Sequence, residues 1–149
     1  MGDVRVSATG KFPPERFVAA LTDFSAEREK LFGNSQGGYL KVHGQGPDWA
    51  DVTEGSTAGG GIWQRYRYDW SSPGEVRLEV LDSNTFGKGS YWEYHVTPDG
   101  SGGSRVALHI HRNPTSLRGR FLDLALRLVG KRFFDRDLRH TIAAIEAAG

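Results

Sequence analysis

Five side chains in the middle of the chain combine aromatic surface with polar tips. Gln64, Tyr66 and Tyr68 alternate in one run, and Trp92 and Tyr94 alternate in another. In a strand, residues two apart point to the same side, so each set lines one face of a sheet. A wall of rings carrying a few hydroxyl and amide groups suits a flat, mostly apolar molecule with one or two polar substituents. The competing reading is a filled core whose hydroxyls reach backbone or water. A buried hydroxyl without a partner costs about 1 to 3 kcal/mol, so four polar groups converging inward favour a pocket or ordered water over a dry core, and phase alone leaves the pocket and the filled core evenly matched.

Other chemistry-bearing residues read as surface. His109 and His111 form an H-x-H pair, with His95 on a neighbouring run, and both imidazoles fall on one side of a strand as a metal would require. The same alternation turns them outward, opposite Val106, Leu108 and Ile110, with no cysteine and no clear third carboxylate, so no metal is expected. Asp48, Asp51, Glu54 and Glu93 could divide acid and base roles, but read as strand-end and surface charges. No G-x-S-x-G elbow marks a serine nucleophile. Gly59-Gly60-Gly61 and Gly87-Lys88-Gly89-Ser90 lack the order of a phosphate loop and join two strands, so they are turns. Asn84 to Gly89 reads as a rim loop with Phe86 as its gate. No catalytic residue is assigned and no cofactor is expected.

These groups sit in a chain of 149 residues, which is read as one domain, 1–149, with a sizeable core. A formal net charge of +1 gives no reason to expect nucleic acid. There is no cysteine, which excludes disulfides and thiol catalysis. Met1 to Thr9 has no apolar leader segment and no run approaches a membrane span, so a cytoplasmic protein is expected, as a monomer or homodimer.

The elements follow from periodicity. Val4, Val6 and Ala8 alternate as a first strand, Pro13-Pro14 end it, and short helices cover Glu15 to Thr22 and Ala26 to Phe32, the second closed by Gly33-Asn34. Strands then recur at Tyr39–His43, Trp49–Glu54, Ile62–Trp70, Glu75–Asp82, Tyr91–Thr97 and Arg105–Arg112, separated by turn residues, as in an antiparallel meander. Leu117 to Ala148 is one long helix. Its first part has two apolar rows, Phe121, Leu124, Ala125 and Leu128 beside Leu122, Leu126, Val129 and Phe133, with Arg120, Asp123, Arg127 and Lys131 left for water. Beyond Gly130 the row narrows to Phe134, Leu138, Ile142 and Ile145. The arginines of this helix, Arg118 among them, could approach an anionic membrane, but a solvated face is the preferred reading.

Val6-Ser7-Ala8 before Pro13-Pro14-Glu15-Arg16-Phe17, then Ala20-Leu21-Thr22-Asp23, resembles the opening of the helix-grip fold of the START-related (SRPBCC) superfamily. Thr97-Pro98-Asp99-Gly100, Gly103-Ser104-Arg105-Val106 and the Arg/Leu-rich helix resemble its last hairpin and helix, in the polyketide cyclase/dehydrase and lipid-transport branch. The resemblance implies an α+β fold in which a seven-stranded, curved antiparallel sheet wraps a long C-terminal helix, with two short helices after strand one. It also implies a cavity between sheet and helix that binds or transports a small hydrophobic or aromatic molecule, lipid-like or polyketide-like. Gln64, Tyr66, Tyr68, Trp92 and Tyr94 would line one side, and Phe121, Leu124, Ala125 and Leu128 the other. The alternative is a cyclase or aromatase acting in the same cavity, with Tyr66, Tyr68, Tyr94 or an inward-turned Arg65 or Arg67 moving protons.

Overall fold

The computed structural model describes residues 2–32, 35–36, 38–57, 61–115 and 117–148. The Gly33-Asn34 pair and Gly59-Gly60 lie outside these residues, as does the side chain of Arg118. In chain order the elements are β1 (Gly2–Gly10), α1 (Pro14–Leu21), α2 (Arg28–Leu31), β2 (Lys41–Gln45), β3 (Trp49–Ser56), β4 (Ile62–Asp69), β5 (Glu75–Ser83), β6 (Tyr91–Pro98), β7 (Ser104–Arg112) and α3 (Leu117–Ala148). This is the expected order. α2 is a single turn rather than the seven-residue helix expected, and β2 starts two residues late.

The seven strands form one antiparallel sheet in the order β1-β7-β6-β5-β4-β3-β2. All connections from β2 to β7 join neighbours, as short turns demand. β1 crosses to pair with β7, Val4 opposite Ile110 and Val6 opposite Leu108. Register shifts interrupt β2 against β3 and β4 against β5, the kind of irregularity that bends a strand and deepens its twist.

The alternation read from sequence fits the burial. Tyr66 and Tyr68 on β4, Val76, Leu78 and Val80 on β5, Tyr94 and Val96 on β6 and Val106, Leu108 and Ile110 on β7 are all buried. They face the second half of α3, where Phe134, Leu138, Ile142 and Ile145 are buried, and the short-helix residues Phe17 and Leu21. The C-terminal half of α3 is tied to the short helices: Thr141 Oγ1 donates to the Leu31 carbonyl (2.7 Å), and Arg16 Nη2 donates to the Ile145 carbonyl (2.7 Å). Among the described residues no helix is long and apolar enough to cross a membrane.

Candidate functional site

On the concave face the strand register brings the aromatic residues together. Tyr66 pairs with Val52 and Val80, Tyr68 with Leu78, Leu78 with Trp92, and Val76 with Tyr94. Phe17 from α1 meets the Tyr94 ring at 5.7 Å, and Phe134 from α3 meets Trp92 edge-on at 5.6 Å. Tyr66 and Tyr68 meet edge-on at 6.0 Å. Five residues expected on one wall therefore do share it, and Trp92 is the half-buried member.

Their polar tips divide into two groups. The Tyr68 hydroxyl is already engaged: it accepts from Arg28 Nη2 (2.6 Å) and donates to Glu54. By contrast, no described residue hydrogen-bonds the hydroxyl of Tyr66 or of Tyr94, and Gln64 Oε1 is buried with no partner among the described residues. Burial pushes the phenol of Tyr66 well up, and the Glu54 carboxylate adds to the shift. Tyr94 is raised too, by burial first and then by the Asp137 charge. Both phenols are neutral donors at ordinary pH.

No motif or periodicity in the sequence marks the cluster around Arg28. Arg28 Nε meets Glu54 Oε1 at 2.6 Å and Ser35 Oγ at 3.1 Å, while Nη1 donates to the carbonyls of Leu21 (2.5 Å) and Asp23 (3.1 Å). Its guanidinium lies 4.7 Å from the centroids of both Phe24 and Phe32. Burial opposes the charge, but Tyr68 and Glu54 outweigh it and hold the pKa above the usual arginine value. Glu54 is thus buried and paired, not the surface charge expected. The cluster fastens the end of α1 and the start of α2 to β3 and β4, so its work is architectural.

The expected helical wall is corrected more severely. Phe121, Leu124 and Leu128 are 77%, 58% and 81% exposed, and Ala125 is exposed as well. Asp123, expected in water, is instead buried against the sheet, with its Oδ1 3.0 Å from Arg112 Nε and its Oδ2 3.1 Å from Arg127 Nε. Gly130 lies on the same side, where an added Cβ would sit 3.6 Å from Val4. The Asp123–Arg112 pair, buried between α3 and β7, sets the rotation of α3. The row of Phe121, Leu124, Ala125 and Leu128 is left facing outward.

Two polar groups from unexpected positions reach the interior. Arg112 ends the inward row of β7, with Nη1 buried and unpartnered among the described residues. Asp137 on α3 is partly buried, and desolvation raises its pKa against the opposing effect of His140. Neither has a sequence motif; only continuing the β7 alternation by one more pair would have found Arg112.

The remaining candidates lie outside this face. Arg65 forms a two-pronged pair with Asp51 (2.8 and 2.7 Å), and Arg67 lies 4.9 Å from the Trp49 ring, so neither turns inward. Phe86 is buried and bridged to Pro114, with its backbone N–H held by Ser83 Oγ at 3.1 Å, which is a poor arrangement for a gate. His109 Nε2 and His111 Nδ1 both meet Asp3 Oδ1, at 2.8 and 3.0 Å, on the outer face. Hydrogen bonds from His109 and then His111 hold the Asp3 carboxyl below its usual range. An open depression of about 650 Å³ runs along β1, β7 and β6 to α3, lined by Arg5, Glu93, His95, His109, Lys131 and Asp135 among others. A second, of about 460 Å³, lies between Asn113, Pro114 and the first turns of α3.

The profile of the family described as polyketide cyclase / dehydrase and lipid transport matches residues 1–146. No curated protein matches the chain. Among solved structures, a protein from Thermus thermophilus superposes with a TM-score of 0.79 at 16% identity, covering 99% of each chain. The Zhui aromatase/cyclase from a Streptomyces species gives a TM-score of 0.78 at 14% identity, covering 97% of this chain and 93% of its own. A START superfamily protein from Mycobacterium smegmatis gives 0.70 at 12% identity, covering 98% and 95%. At such identities the likeness is one of fold.

Proposed function

The chain belongs to the polyketide cyclase / dehydrase and lipid transport family, and from that premise we propose that it binds a small, largely aromatic molecule against the concave face of the sheet. The observation that carries this reading is Gln64 Oε1, a buried acceptor with no partner among the described residues, on the same wall as the uncommitted Tyr66 and Tyr94 hydroxyls. An unmet buried polar atom costs about 1 to 3 kcal/mol, which a ligand supplying a donor would remove. The rings around it supply the apolar contact.

Calorimetric titration with 2-naphthol and with naphthalene tests it. The hydroxyl should donate to Gln64, and 2-naphthol should bind about tenfold more tightly, the worth of one net hydrogen bond of about 1.4 kcal/mol. Gln64→Met should remove that preference and leave naphthalene unchanged. Absence of saturable uptake of either probe, with no bound species in native mass spectrometry, would refute the reading.

A second reading, a cyclase-type enzyme in the same site, is favoured by Asp137. Proton transfer needs a titratable group in reach of the substrate, and Asp137, a partly buried carboxyl with its pKa raised by desolvation and its charge felt by the Tyr94 phenol, is such a group. In that case Asp137→Asn would abolish turnover of a poly-β-ketone substrate while leaving 2-naphthol affinity intact.

A further inference from the structure

The first half of α3 carries an apolar stripe that no described residue covers. Leu117, Phe121, Leu124 and Leu128 recur at intervals of four, three and four, which places them on one side of a helix. That side is opposite Asp123 and Gly130, the residues turned toward the sheet. Leu117 is 84% exposed, and Val129 and Phe133, at 55% and 56%, widen the apolar area along one flank. Large exposed apolar side chains occur at only two other described positions, Val42 and Leu81. Single exposed leucines are ordinary, but a contiguous patch on the order of 500 Å² marks an interaction surface.

The charges around the stripe indicate what it meets. Arg120, Arg127 and Lys131 border it on one side and Arg132 on the other, all exposed. The carboxylate within this segment, Asp123, is buried between Arg112 and Arg127 and contributes nothing to the outer surface. The outward side from Leu117 to Phe133 therefore presents apolar and cationic groups together. A second copy of the chain fits poorly: apposing two such stripes would set arginine against arginine. An anionic bilayer surface fits both features, since leucine and phenylalanine enter the acyl boundary while arginine and lysine stems reach up to phosphates.

We propose that α3 docks in the plane of an anionic membrane through Leu117, Phe121, Leu124 and Leu128, with Arg120, Lys131 and Arg132 on headgroup phosphates. The stripe is about 16 Å long at 1.5 Å per residue, so it lies on the surface and does not span it. This inference stands on the exposed face of α3 and is independent of what the concave face binds.

Vesicle co-sedimentation tests it, using phosphatidylcholine alone and phosphatidylcholine with roughly one-third phosphatidylglycerol. The protein should sediment with the anionic vesicles, stay in solution with the neutral ones, and be released by high salt. Phe121→Ser with Leu128→Ser should weaken binding at least tenfold with an unchanged thermal midpoint, because both side chains are already in water. Arg120→Gln with Lys131→Gln and Arg132→Gln should weaken it comparably through charge alone. Failure to bind anionic vesicles, equal binding to neutral ones, or indifference to both sets of substitutions would overturn the proposal. So would a dimer in light scattering that Phe121→Ser with Leu128→Ser converts to monomer, since a second copy would then be the occupant.

Discussion

Replacing Glu54 by Gln tests whether the buried Arg28 cluster holds the short helices to the sheet. The substitution preserves shape and removes one charge from a pair whose side chains are 1% and 2% exposed. Arg28 would keep its bonds to Ser35, Tyr68 and the carbonyls of Leu21 and Asp23, but its charge would be left uncompensated in the interior. Breaking a buried pair from one side costs about 3 to 5 kcal/mol, against about 0 to 1 kcal/mol for an exposed pair. For a chain of this size such a loss lowers the thermal midpoint by about 10 °C. Urea denaturation of the four proteins of a double-mutant cycle, with Arg28→Met as the second substitution, measures the coupling directly. Glu54→Gln should cost at least about 2 kcal/mol less when Arg28 is already Met. A single-substitution cost below about 1 kcal/mol, or equal costs in both backgrounds, would refute the argument.

Two further expectations follow from the structure. Gly74 has φ of +72° and an added Cβ would lie 2.7 Å from the Val96 carbonyl, whereas Gly100 has φ of +87° and nothing within 4 Å. Gly74→Ala should cost about 2 to 4 kcal/mol and Gly100→Ala about 1 to 2, the difference being the clash; equal losses in urea denaturation would show that the contact is relieved. Asp137 has its pKa raised in the folded state, so its ionised form opposes folding once the pH exceeds the unfolded carboxylate value, and the opposition is complete above the folded value. Asp137→Asn should raise the thermal midpoint at pH 7, with the gain shrinking as the pH falls through the carboxylate range; a gain that is constant with pH would show that burial of the charge is not its source.

Local pattern was enough for the elements and for much of the core. Alternation at Gln64, Tyr66 and Tyr68 and at Trp92 and Tyr94 identified the inner face, because a strand with one buried side must place its rings two residues apart. The spacing of Phe134, Leu138, Ile142 and Ile145 likewise identified the buried side of the second half of α3. What alternation leaves open is which polar tip is already taken. Tyr68 and Tyr66 are alike in sequence, but Arg28, forty residues away, claims one and not the other.

Tertiary structure alone decided the rotation of the first half of α3. That segment is apolar on two adjoining rows, so hydrophobicity cannot choose between them. The choice fell to Asp123, which must meet Arg112 once both are buried. A carboxylate in a sequence reads as a surface group because burying an isolated charge is prohibitive. Glu54 and Asp123 escape that rule through partners, Arg28 and Arg112, supplied by other elements. Periodicity reports which residues avoid water, whereas a buried ion pair is a relation between two positions that only the folded chain brings together.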